Sequence, residues 1–342
     1  MNGTIYMPVG EVCSSISDTY REKKNMVTLI NTSDVLEGRV LNHERVPNSN
    51  LKGQFKKTFQ RDDILYSEIR PQNRRFAYVD FSPIDYIAST KLMVIRAKKD
   101  VVSPKYLYYF LKNSSTVAEL QLLAETRSGT FPQITFSEVA NLTIPVPSLA
   151  VQEVIVQTMQ CLEDKITCNE QINDNLEQQA QAIFHERFEK DPSEDLPSGW
   201  RVAPLGEVAT ISNKSFNPLK EAERMLEHYS IPAFDEARFP VFEPSTSIKS
   251  NKFVIDTSCF MISKLNPTTK RVWKPYCLTE NAVCSTEFIV YKAKNELITD
   301  FLYSVIDSNS FSDFMCSHVT GSTGSRQRTT PSDTLSYELV LP

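Results

Sequence analysis

The sequence predicts an α+β protein in which two repeated domains, each built on a mixed β-sheet, are joined by one long α-helix able to form a coiled coil. Three observations carry this reading. Segments near the amino terminus recur about 196 residues later. Within each copy, short apolar runs bounded by proline, glycine and polar residues have strand character, and a helical stretch follows them. Between the copies the chain keeps apolar side chains at a spacing of seven and has neither Gly nor Pro for about 40 residues. At 342 residues the chain is long enough for two complete cores.

The repeat fixes the order of elements. Gly10-Glu11-Val12 returns as Gly206-Glu207-Val208, an offset of 196. The same offset maps Ser67-Glu68-Ile69-Arg70-Pro71 onto Ser263-Lys264-Leu265-Asn266-Pro267, and Arg75 onto Arg271. It also maps Ser89-Thr90-Lys91 onto Ser285-Thr286-Glu287. After one deletion the offset becomes 195, pairing Leu107-Tyr108 with Leu302-Tyr303, Gly129 with Gly324 and Pro147 with Pro342.

The first domain is assigned to residues 1–147 and the second to 200–342. Strands are expected at 64–66 and 91–95, matched by 259–262 and 287–291. Helices are expected at 105–113, started by Ser103-Pro104, and at 299–308. Gly/Ser/Thr-rich loops follow at 126–133 and 320–328. Each copy closes on a strand ending in proline, 142–147 and 337–342.

The spacer helix is assigned to 148–190 with Ser148 as its N-cap. Ile155, Leu162, Asn169, Leu176 and Ile183 share one register, and Met159 and Ile166 add to the same face, so the stripe is an apolar seam with a polar waist. A Pro/Ser/acid linker, 191–199, leads to Trp200. By the repeat, a second rod is expected after Pro342.

The formal net charge of −5 conceals a strong segregation. Residues 150–195 hold eleven acidic and three basic side chains, whereas 52–99 hold eleven basic and five acidic, and 264–294 six basic and two acidic. Two basic patches joined by an acidic rod suit a polyanion bound at two places. The amino terminus lacks a basic, apolar export signal and no stretch resembles a membrane span, so a cytoplasmic protein without a membrane partner is expected. Seven cysteines without a CxxC pair read as reduced, small buried side chains.

No catalytic constellation can be assembled. There is no dinucleotide or triphosphate cradle. His43-Glu44-Arg45 and His185-Glu186-Arg187 are not metalloprotease motifs, and no cysteine or histidine pair has metal-ligand spacing. Asn266-Pro267-Thr268-Thr269 is a faint echo of an amino-methylating DNA methyltransferase motif but lacks its second proline and its aromatic ring. Neither catalytic nor metal-binding residues are assigned.

The binding candidates lie on the two basic, polar connections and the two Gly/Ser/Thr loops. In the first copy they are Lys56, Arg70, Gln72, Asn73, Arg74, Arg75, Arg127, Ser128, Thr130 and Gln133. In the second they are Asn266, Lys270, Arg271, Lys274, Thr323, Ser325, Arg326, Gln327 and Arg328. Arg and Lys neutralise phosphates or fork onto guanine, Asn and Gln pair with adenine, and loop N–H groups hold phosphate oxygens. The two copies share the place of these groups but not their identity.

At this point the chain resembles the specificity subunits of Type I restriction–modification systems. The resemblance spans the chain and rests on Asn141-Leu142-Thr143-Ile144-Pro145-Val146-Pro147, on Gln152-Glu153 at the helix start, and on Leu196-Pro197-Ser198-Gly199-Trp200 followed by Leu205-Gly206-Glu207-Val208. It implies a non-catalytic reader of duplex DNA, with two target-recognition domains each taking half of a bipartite, asymmetric site. It further implies two modification (methyltransferase) subunits, which would carry S-adenosylmethionine, and a restriction subunit, which would carry ATP and Mg; no cofactor is expected on this chain. The family pairs two antiparallel rods, and the second is absent from this sequence. Self-association or a second chain through the unpaired helix is therefore expected. The competing readings are a methyltransferase or nuclease with unrecognised motifs, and a surface interaction protein that does not bind DNA.

Overall fold

The computed structural model describes residues 4–22, 24–48, 53–127, 130–190, 195–220, 222–321 and 327–342. The chain forms two compact units, Met1–Asn169 and Glu170–Pro342. The division falls inside the long helix Leu149–Arg187, so each unit includes part of that helix.

In the first unit an antiparallel sheet takes the order Cys13–Ile16, Leu92–Ala97, Ile64–Ser67, Phe76–Tyr78. A second, mixed sheet has the order Val46–Pro47, Met26–Ile30, Tyr86–Ser89, Phe55–Lys57, with Tyr86–Ser89 parallel to Met26–Ile30. The strand Ile64–Ser67 is buried at every residue, which explains its continuous apolar run. Leu65, Leu92 and Val94 from the first sheet share one cluster with Ile30 and Ala88 from the second, while Ile64, Tyr66, Met93 and Ile95 face the helix Pro104–Lys112. The termini of the unit are joined by Ile5–Pro8 pairing antiparallel with Thr143–Val146.

The second unit repeats this plan. Ala209–Ile211, Phe288–Ala293, Cys259–Ser263 and Val272–Trp273 form its antiparallel sheet. Its mixed sheet has five strands, with Ala282–Ser285 parallel to Met225–Tyr229 and Val241–Pro244 at one edge. Arg201–Pro204 pairs antiparallel with Glu338–Leu341, the counterpart of the closing pair in the first unit.

The repeated glycine has a steric cause. A Cβ on Gly10 would lie 2.9 Å from the Ala140 Cβ, and one on Gly206 would lie 3.2 Å from the Leu335 Cβ. A side chain at Gly10 would force a shift, and one at Gly206 would press on Leu335, so glycine suits the close approach of the short helices Val9–Val12 and Leu205–Val208 to the segments preceding the closing strands.

The predicted helices are present as Pro104–Lys112 and Thr299–Ile306. Each is followed by another that the sequence reading lacked, Ser114–Arg127 and Asn309–Ser317. Arg127 therefore ends a helix rather than lying on a loop.

The spacer helix runs 39 residues, Leu149–Arg187, about 58 Å at ~1.5 Å per residue. Its root in the first unit is Gln152, which is fully buried. The Gln152 Oε1 accepts from the Ser103 N–H (2.8 Å), and Nε2 donates to the carbonyls of Val101 (3.1 Å) and Pro147 (2.8 Å). Further along, Glu163 receives the Tyr109 hydroxyl (2.8 Å) and pairs with Lys112. In the second unit Glu177 pairs with Arg238 (3.0 Å), Gln181 donates to Asp307 (2.5 Å), and Phe184 and Phe188 pack on Phe301.

The helix thus contacts both bodies through polar side chains and through the apolar Val156, Phe184 and Phe188. Its heptad stripe lies elsewhere: Ile155, Met159, Leu162, Ile166, Leu176 and Ile183 are 37–59% exposed, and Asn169 is exposed among them. A water-facing apolar stripe of this length is unlike the isolated apolar side chains common on protein surfaces.

Candidate nucleic-acid interface

In each unit the backbone brings together the two loops that the sequence singled out. After the strand Ile64–Ser67, the Ser67 hydroxyl accepts from the Ile69 N–H (3.0 Å) and starts a turn. Arg70 then adopts a left-handed φ of 44°, Pro71–Asn73 form one 3₁₀ turn, and Arg74 is left-handed again at 51°. Proline presets the φ of the 3₁₀ turn, while a non-glycine residue in the left-handed region costs about 1 kcal/mol. Arg70 is held by its N–H, which donates to the Pro132 carbonyl (3.1 Å), and by an isolated bridge between Ile69 and Gln133. The Ile134 N–H donates to the Glu68 carbonyl (2.8 Å), completing the seam.

The second unit has the same frame. Asn266 takes a left-handed φ of 50°, a conformation asparagine tolerates better than most residues. Its N–H donates to the Gln327 carbonyl (2.9 Å), Leu265 bridges Arg328, and the Thr329 N–H donates to the Lys264 carbonyl (3.1 Å). The loops meet through the same main-chain groups in both copies, although the side chains at the joint differ.

The side chains differ sharply. In the first unit Arg70, Gln72 and Asn73 are exposed. Arg74 donates to the Ser114 hydroxyl (2.8 Å) and Arg75 to the Ser33 carbonyl (2.9 Å). Among the described residues no carboxylate pairs with Arg70, Arg74 or Arg75, so the turn keeps its positive charge. Thr130 is exposed, while Gln133 Oε1 accepts from Lys91 Nζ (3.2 Å). Lys56 is exposed on Phe55–Lys57, a strand of the other sheet.

In the second unit the corresponding cations are paired. Lys270 donates to the Asp307 carbonyl (2.7 Å) and lies 3.1 Å from its carboxylate, where a phosphate contact was expected. Arg271 forks onto Asp235 (2.6 and 2.9 Å), and its guanidinium holds the Asp235 carboxyl below the usual range. Lys274 pairs with Asp300, and Arg328 forks onto Glu287 (3.0 and 3.1 Å). The Asn266 amide is held locally by Thr268 and Thr269. The side chain of Arg127 and residues Ser128, Thr323, Ser325 and Arg326 lie outside the described residues.

A charge exchange accompanies this difference. Glu68, Lys91 and Gln133 of the first unit correspond to Lys264, Glu287 and Arg328 of the second. Lys91 also lies 3.5 Å from Glu68. The signal was present in the repeat, which aligned these blocks, but their joint position could not be read until the frame was known. Among the described residues no group of three or more His, Cys, Asp or Glu side chains is placed to hold a metal ion, and no helix is long and apolar enough to cross a membrane.

Residues 6–178 match the model of the Type I restriction modification DNA specificity domain family, about half of the chain. The chain belongs to this family. The specificity subunit of the Type I restriction enzyme HindI from Haemophilus influenzae is 41% identical over 196 residues, 55% of this chain and 43% of the relative. The MjaIX specificity subunit of Methanocaldococcus jannaschii is 27% identical over 161 residues, 41% of this chain and 37% of that one. The matches thus span less than half the length of these two relatives.

Among solved structures, the S subunit of a Type I restriction–modification system from M. genitalium aligns over 99% of this chain and 85% of its own, with a TM-score of 0.52 at 15% identity. A chain described under complex assembly and conformational transition of the Type I system aligns over 100% and 86%, with a TM-score of 0.51 at 19% identity. At these identities the likeness concerns the fold alone.

Proposed function

We propose that this chain is the DNA-recognition subunit of a Type I restriction–modification system, reading a bipartite, asymmetric duplex site with one half taken by each unit. The observation that carries the reading is that both units join the turn to the loop by the same main-chain bonds while bearing different side chains. One scaffold held by main-chain bonds can present two sets of base-reading groups, which is what an asymmetric site requires. In the first unit Arg70, Gln72 and Asn73 stand at the exposed turn. In the second the described candidates are Gln327 and the groups around Asn266.

Chemistry is assigned to partners: two modification subunits with S-adenosylmethionine, and a restriction subunit with ATP and Mg. This chain carries no cofactor in this reading and acts in the cytoplasm. The exposed stripe along Ile155, Leu162, Leu176 and Ile183 is assigned to a second amphipathic helix, supplied by another copy or another chain.

The test is to combine the full chain with its modification subunits and map methylated adenines across a genome. A single split motif with two fixed halves is expected. Methylation without sequence preference, or by this chain alone, would refute the assignment.

A further inference from the structure

The exchange of Glu68, Lys91 and Gln133 for Lys264, Glu287 and Arg328 takes place where the two loops are joined. In both units the residue after the first sheet strand donates its N–H to the residue opposite: Glu68 to the Lys91 carbonyl (3.0 Å) and Lys264 to the Glu287 carbonyl (2.9 Å). In both units the side chain of that opposite residue then reaches across to the last residue of the Gly/Ser/Thr-rich loop, here called the closing loop, Gln133 or Arg328. Lys91 donates to Gln133, and Glu287 accepts the fork of Arg328. The direction of the bond is reversed while the link is retained.

Gln133 and Arg328 occupy equivalent places and are both engaged by this link. Arg328 also forms the bridge with Leu265, next to the Asn266 N–H that holds the Gln327 carbonyl. A shift of Arg328 therefore moves Gln327 relative to the left-handed turn.

We infer that Lys91 and Glu287 are positioning residues for DNA reading, acting through Gln133 and Arg328 to set the closing loop against the turn, and that Arg328 serves the brace rather than a phosphate. This rests on the DNA-reading function proposed above. It makes the polarity of each brace interchangeable, because the two units hold one backbone frame with opposite sets.

The experiment selects bound sequences from a random duplex DNA pool with the full chain, and measures the salt dependence of binding to the selected duplex. Glu287→Gln is expected to lose at least about tenfold in discrimination at one half-site, leaving the other half and the salt slope unchanged. The triple exchange Lys264→Glu, Glu287→Lys, Arg328→Gln installs the first unit's set and is expected to restore discrimination. Thermal melting of each variant establishes that the second unit remains folded.

If Arg328 instead touches a phosphate, Glu287→Gln removes the carboxylate that competes for it, and binding to all duplexes tightens with a steeper salt slope. That result overturns the inference, as does unchanged discrimination in Glu287→Gln, loss at both halves, or failure of the triple exchange to restore it. Absence of any enriched sequence with the unaltered chain would instead overturn the DNA-reading function itself, and the brace with it.

Discussion

Replacing Gln152 tests how the spacer helix is rooted in the first reading unit. Its amide makes one bond as acceptor and two as donor, all to main-chain groups, and no part of the residue is exposed. Gln152→Leu removes three bonds worth about 1 kcal/mol each net, and leaves the groups of Val101, Ser103 and Pro147 to whatever water can reach them. Because those three residues are only half-buried, the expected loss is about 2–4 kcal/mol rather than the larger penalty of fully orphaned groups.

Gln152→Glu sharpens the test by adding a sign. A carboxylate can keep the Ser103 bond but turns its second oxygen toward two carbonyls, so its folded pKa must rise. Stability then falls as pH increases from the unfolded value near ~4.3 up to the raised folded value, and the variant is closest to the unaltered protein below that window. Urea unfolding followed across pH reads both effects, with the second unit as the internal reference. A loss below about 1 kcal/mol in Gln152→Leu, or no pH dependence in Gln152→Glu, would show that the helix is not rooted by this amide.

Four further outcomes are expected. Glu227 is buried and accepts bonds from the Tyr229 hydroxyl, the Leu278 and Thr279 N–H groups and the Thr279 hydroxyl; burial raises its pKa but these bonds outweigh it and hold the carboxyl low. That stability is present above the unfolded pKa of about 4.3 and lost as pH falls through the folded value, so Glu227→Gln should flatten the acid limb of second-unit unfolding. Leu162→Ala or Leu176→Ala should weaken association measured by sedimentation by about 2–3 kcal/mol while the melting of both units stays put, since both side chains are exposed in the single chain. Arg70→Ala should reduce the salt slope of DNA binding by about one, whereas Lys270→Ala should leave it unchanged because Asp307 already holds that amine. Gln72→Ala or Asn73→Ala should cost about 1–3 kcal/mol of discrimination at one half-site only, as read by competition binding.

The repeat made much of the fold legible. Strands such as Ile64–Ser67 and Cys259–Ser263 stood out because they are buried throughout, and the spacer helix because its seam is uninterrupted. The helix Ser114–Arg127 was missed for a physical reason. It buries Val117, Leu120 and Ala124 but also exposes Leu122 and Leu123, so no single apolar face marks it. The candidate site was legible as two basic loops and illegible in its charge balance. Arg271 finds Asp235 and Arg328 finds Glu287 at separations of 36 and 41 residues, which local pattern cannot reveal. Lys91 and Glu287 were visible as aligned positions, but their reach to the closing loop needed the bridge geometry.

If the chain reads DNA as proposed, the division between backbone and side chain lets one architecture serve two sequences. In both units the bridge from the turn to the closing loop and the flanking N–H bonds join main-chain groups, so substitutions at Gln72, Asn73 or Gln327 leave those bonds in place. The long helix separates its tasks in a similar way. Gln152, Glu163, Glu177 and Gln181 by polar bonds, and Val156, Phe184 and Phe188 by packing, fasten it to the bodies, while the separate apolar stripe stays exposed. A seam that also supported the bodies would couple partner binding to their stability. Under the proposed function, keeping it apart lets a unit change the bases it reads, and the rod its partner, with neither change propagating to the other.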